Sequence, residues 1–326
     1  MARKTSPEVT ADKKSAKEKI LRGMSSAVAV GALVCCAQLG GRVKTPVNLA
    51  EMRKVTLITG GFLLLQYLFQ LVMTPVGQSL IAKKPGWSRE LWRAKVDRFA
   101  AAVYKLAING GGLCVAFYLM KDKPWLPTYL GGNGDTRNLW RPEAEDARLV
   151  DFYLSCVAFV ISDILTHAVW ERSRPDFAEL MLHLLVSFAF LTVAFMSDLV
   201  RLGMLVILIH LICDVFVSTA KAMVDTKLSG GAAAFFPVLF VHGYFRLFVF
   251  SKILRTLVVE SSPFFPVKTF APWGFLCVAL GLSLCVQTFW GFVIVKIGLL
   301  LLTTGQSRDL QANLSAMDVV VAKKIK

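Results

Sequence analysis

Apolar residues fall into eight runs separated by short polar stretches: Met24 to Gly40, Val55 to Val76, Phe99 to Met120, Leu149 to Trp170, Phe177 to Met196, Leu199 to Ala220, Gly231 to Leu257 and Trp273 to Leu302. All but the first reach the length of roughly 20 residues at which a helix crosses a hydrocarbon core about 30 Å thick. Lipid offers no partner to a backbone N–H or C=O, so such runs must close their hydrogen bonds internally, as helices do. The pattern predicts an all-α, polytopic integral membrane bundle. It has eight spans if Met24 to Gly40, which is short and carries Gln38, crosses the bilayer, and seven if it does not.

Four segments follow from the same pattern: a polar basic tail over 1–23, N-terminal membrane segments over 24–84, a membrane domain over 85–305 and a C-terminal tail over 306–326. Composition agrees, with 55% apolar residues against 18% charged. The 37 Lys and Arg exceed the 22 Asp and Glu by 15, but the excess sits in the tails and between the runs, so net charge alone gives no nucleic-acid partner. Its distribution instead orients the spans. Residues 77–98 hold six basic and two acidic residues, whereas 121–148 hold five of each, and the tail 1–23 holds seven basic residues. The Lys/Arg bias puts 77–98 and both tails in the cytosol. The final Lys323-Lys324-Ile325-Lys326 matches a dilysine signal for return to the endoplasmic reticulum, and the sequon Asn313-Leu314-Ser315 would stay unused on the cytosolic side.

The seven cysteines lie in apolar runs without zinc or redox spacing and are expected to act as small hydrophobes. The four histidines, His167, His183, His210 and His242, also lie in apolar runs, where an ionisable group marks a functional site. Counting about 1.5 Å per residue from the polar ends puts His183 and Asp214 each about 10 Å, and His210 about 16 Å, inside the cytosolic face. His210 and Asp214 are four residues apart and share a helix face. A carboxylate beside an imidazole would fix its tautomer for proton transfer or nucleophilic work. The same spacing predicts pairs between Asp163 and His167 and between His242 and Arg246, with Arg246 deeper, as a packing or lumenal anchor. His-x-x-His-His boxes of a membrane di-iron enzyme are absent, so no metal is expected.

Asp122-Lys123-Pro124-Trp125, the stretch Trp170-Glu171 through Arg174-Pro175-Asp176-Phe177-Ala178-Glu179 ahead of His183, and Arg201-x-Gly203-x-Leu205 ahead of His210, Asp214 and Lys221 resemble the TLC-domain family, and within it the ceramide synthases. Arg246-Leu247 fits the next helix, and the resemblance covers roughly residues 85–305. It implies an endoplasmic-reticulum enzyme that moves an acyl group from long-chain acyl-CoA, its co-substrate, to the amine of a sphingoid base. It needs no further cofactor. The candidate catalytic residues are His183, His210 and Asp214, with Arg201, Lys221, Arg246, Asp163 and His167 in support. Three positions depart from the family pattern: Leu184 stands where the resemblance implies a second His, Leu211 where it implies the first Asp, and Ser218 where it implies a Glu. Losing one general acid or base typically costs 10²- to 10⁴-fold in rate. The expectation is therefore a degenerate ceramide-synthase-like protein, acting as a partner or regulatory subunit in a homo- or hetero-oligomer with a motif-complete ceramide synthase. The alternatives are an active enzyme that uses His183 with the His210–Asp214 pair, and a TLC protein that binds lipid without acyl transfer.

Overall fold

A computed structural model describes residues 49–84, 87–140, 145–171, 177–227, 234–261 and 270–304. The tail 1–23, the run Met24 to Gly40, residues Arg174 to Asp176, the sequon and the dilysine end lie outside the described residues. Among the described residues the chain is helical with no strand, and seven helices are long and apolar enough to cross a membrane. They are α1 (Leu49–Leu80), α2 (Arg89–Met120), α3 (Ala147–Trp170), α4 (Phe177–Met196), α5 (Val200–Met223), α6 (Phe235–Glu260) and α7 (Phe270–Thr304). They coincide with the seven long runs, and the protein is a multi-pass membrane protein.

The largest difference from the sequence pattern is at the start of α2. Residues 89–98 carry six charges and read as loop, yet they form the first turns of the helix. The Ser88 hydroxyl caps that end by accepting from Leu91 N at 3.1 Å, and Glu90 complements the helix dipole in the first turn. Lys95 is buried there against Asp225, 3.1 Å away, and over the Trp87 ring. The amphipathic overhang thus clips α2 to the turn that follows α5.

Helix α5 is the centre of the bundle: it packs most extensively on α2 and also touches α3, α4 and α6. It is apolar nearly all round, as a helix enclosed by others should be. Close approach is secured at Gly203, where a Cβ would lie 2.5 Å from Cε2 of Tyr153. The Tyr153 hydroxyl in turn donates to Leu191 O at 2.7 Å, so one buried phenol links α3, α4 and α5. The α4–α5 turn is tight, with Asp198 left-handed at φ 59°.

Between α2 and α3 the chain folds into a cap held by buried Trp125, Leu126, Leu130, Leu139 and Trp140. Arg201, at the start of α5, forms an ion pair with Glu145 and donates from Nη1 to Asn138 O at 2.7 Å; Lys123 lies 3.7 Å from the same Glu145. Arg201 therefore fastens the cap and stands thirteen residues, or about 20 Å, from Asp214. Its expected support of the site is corrected to a structural role at the opposite end.

Candidate functional site

Four helices converge where His183 and His210 meet. α4 brings His183 and α5 brings His210; their rings stack at 5.6 Å between centroids with planes 17° apart. The edge of Trp290, on α7, meets the His183 ring at 5.0 Å, and Phe250 of α6 meets His210 at 6.0 Å. The convergence follows from the turn between α4 and α5, which runs the two helices antiparallel and side by side, so that the half of one distant from the turn faces that of the other.

The hydrogen bonds differ from the spacing argument. His210 Nδ1 lies 2.8 Å from Val206 O, and because a carbonyl only accepts, Nδ1 carries the proton of that contact. Asp214 does not take the imidazole. Its Oδ1 accepts from Arg246 Nη2 at 2.5 Å, while the same guanidinium nitrogen lies 3.5 Å from His210 O. The correction has two physical causes. The i−4 carbonyl of an isolated helix turn is nearer to Nδ1 than the carboxylate on the following turn, and a guanidinium makes a charge-assisted bond stronger than a neutral imidazole can.

Arg246 reaches this position because α6 is not a regular α-helix. Its middle, His242–Val249, is π-helical, a wider turn often found at functional sites. The predicted His242–Arg246 pair is replaced: Arg246 turns to α5, and His242 donates from Nε2 to Gln287 O on α7 at 3.0 Å. Arg246 is thus not an anchor at the far end but part of the site. Gln287, missed in the sequence, is fully buried, with its Nε2 3.4 Å from His210 Nε2. The only sequence signal was a carboxamide in the middle of a long apolar run.

Three buried polar atoms around the stack have no hydrogen-bond partner among the described residues: His183 Nδ1, Gln287 Oε1 and Arg246 Nε. Buried polar groups are nearly always satisfied, so these three atoms are free to bond a water or a polar group of another molecule.

The other predicted residues fall elsewhere. Asp163 pairs with Lys105 of α2 at 2.9 Å, and His167 with Glu171, one turn on, at 2.6 Å, so the expected Asp163–His167 pair is also corrected. Leu184 is buried beside His183 on α4. Leu211 is buried about 100° round α5 from His210, facing α2: a Cβ on Gly112 would meet its Cδ2 at 3.4 Å. Ser218 is buried and Lys221 half-buried in the last turns of α5. Among the described residues no three His, Cys, Asp or Glu side chains come together as metal ligands.

Residues 98–296 match the TLC domain family. Similar proteins include ASC1-like protein 3 of Oryza sativa subsp. japonica, 28% identical over 62% of this chain and 67% of the relative. Ceramide synthase LOH2 of Arabidopsis thaliana is 22% identical over 46% of this chain and 49% of the relative. Ceramide synthase 4 of Bos taurus is 27% identical over 52% of this chain and 43% of the relative. The chain thus spans about half to two thirds of the length of the curated relatives it matches.

Proposed function

The chain belongs to the TLC-domain family, on its ceramide-synthase branch, and from that premise we propose that it works in sphingolipid N-acylation as a catalytically impaired partner or regulatory subunit. In this reading it binds long-chain acyl-CoA or sphingoid base at the histidine stack and assembles with a motif-complete ceramide synthase. The observation that carries it is the Asp214–Arg246 ion pair at 2.5 Å. A carboxylate held by a guanidinium is not free to orient His210 or to stabilise its imidazolium, and His210 has no second carboxylate because position 211 is Leu. Leu184 removes the other proton carrier.

Such a chain keeps the buried histidine stack while losing the groups that move protons, which suits binding and regulation better than turnover. The proposed location is the endoplasmic-reticulum membrane, with 77–98 and both tails in the cytosol on the Lys/Arg asymmetry of the loops. Co-expression of the tagged chain with a motif-complete ceramide synthase tests the reading. The two should co-purify, and the synthase's rate or acyl-chain preference should change. Lack of association, together with an unchanged rate, would sink it.

One observation favours a second reading, an active acyltransferase. His183 Nδ1 is buried without a hydrogen-bond partner among the described residues, as a nucleophile or base awaiting a thioester or amine would be. In that case acyl transfer by the chain alone would disappear in His183→Ala.

A further inference from the structure

Gln287 is the single carboxamide of α7 and is wholly buried. Its backbone is fixed by His242, whose Nε2–H donates to Gln287 O at 3.0 Å, and its side chain reaches His210 Nε2 at 3.4 Å. His210 gives its Nδ1–H to Val206 O, so its Nε2 is the nitrogen left to accept or to take up a proton. The neighbouring polar groups are His183 from α4, stacked on the ring, Arg246 from α6, at 3.5 Å from the His210 carbonyl, and Asp214 on the next turn of α5, held by Arg246. Gln287 is the group that reaches Nε2 itself.

A carboxamide has a donor end and an acceptor end of nearly equal size, and a half-turn about its last bond exchanges them without a change in volume. With the NH₂ end toward His210 it caps a bare Nε2; with the oxygen end it accepts from a protonated Nε2. The Gln287 Oε1 has no hydrogen-bond partner among the described residues, so none of their hydrogen bonds to Oε1 has to break for the exchange. We propose that Gln287 is the positioning residue that hydrogen-bonds Nε2 of His210, the nitrogen that Val206 leaves without a proton, that it sets how readily this nitrogen takes one up, and that rotation of its amide accompanies any proton gained or lost there. This rests on reading the histidine stack as the functional centre of the chain. It adds that α7, through the neutral side chain of Gln287, bears on the protonation of Nε2 there.

The test is nitrogen NMR of the full chain in lipid nanodiscs, labelled only at its four histidines, with His210 assigned by the signal lost in His210→Gln. The wild type should show a protonated Nδ1 and a bare, hydrogen-bonded Nε2 for His210. In Gln287→Leu the Nε2 signal should move to that of a bare nitrogen without a donor. In Gln287→Glu both ring nitrogens should become protonated. His242 is the internal control, since its partner is the backbone oxygen of residue 287, which both variants keep. His210 signals unchanged in both variants would overturn the proposal. So would His183, His210 and His242 all moving together in both, the mark of a purely structural role. The readout needs no turnover, so its failure is distinct from failure of the acyl-transfer reading.

Discussion

The ion pair between Asp214 and Arg246 can be dissected by a double-mutant cycle whose asymmetry follows from burial. The Arg246 side chain is 5% exposed and that of Asp214 41%. Asp214→Leu leaves a guanidinium enclosed by α5, α6 and α7 with no counter-charge, and breaking a buried pair in this way costs about 3–5 kcal/mol. Arg246→Leu leaves a carboxylate that can draw water through its exposed side, so most of its solvation is recovered. It also releases the contact with His210 O, and a cost of about 1.5–3 kcal/mol is expected, the scale of one charge-assisted hydrogen bond. The double variant removes both charges and should lie close to Arg246→Leu alone, giving a coupling close to the whole Asp214→Leu cost, about 3–5 kcal/mol, a shift of some 100- to 4,000-fold in the unfolding constant. Reversible unfolding in mixed micelles, followed by helix content, measures all four corners. Equal costs for the two single variants, or a coupling below about 0.5 kcal/mol, would refute the claim that Asp214 is committed to Arg246.

Two further predictions test the packing and the substituted positions. Gly203→Leu drives a side chain into the Tyr153 ring, where even a Cβ stands at 2.5 Å; the overpacking should cost about 1–3 kcal/mol and lower the midpoint of thermal unfolding, and an unchanged midpoint would contradict the α3–α5 contact. Restoring the family pattern with Leu184→His and Leu211→Asp together should raise acyl transfer by less than about 10-fold, against the 10²- to 10⁴-fold a general acid or base contributes. The reason is that position 211 faces Gly112 of α2 and Asp214 stays bound to Arg246. A gain of about 100-fold or more in a radiolabelled sphinganine assay would show that the two leucines alone separate this chain from an enzyme.

The helices were readable because a bilayer imposes one rule on every span, a long apolar run that closes its own backbone. What escaped was amphipathic: residues 89–98 form helix although charged, and only Ser88, placed as an N-cap, hinted at it. Depth counting set His183 level with Asp214 and His210 about one helical turn deeper, whereas the structure stacks His183 on His210. The count put Arg246 too far away because the π-helical middle of α6 changes the register at which side chains face a neighbour. The i,i+4 rule failed three times for one reason: spacing says which residues can meet on a helix, whereas a stronger partner on another helix decides which do. Lys105 took Asp163, Arg246 took Asp214 and Gln287 took His242. Gln287 and Trp290 carry no charge and lie in an apolar run, so nothing in composition set them apart from ordinary packing residues.

The central claim, a shaped site without independent turnover, is tested most directly by supplying the purified chain in nanodiscs with long-chain acyl-CoA and sphinganine and measuring N-acyl product for the wild type and for His183→Ala. The account predicts no product above background from either protein when the chain is alone. Steady multiple turnover by the wild type that vanishes in His183→Ala would contradict it.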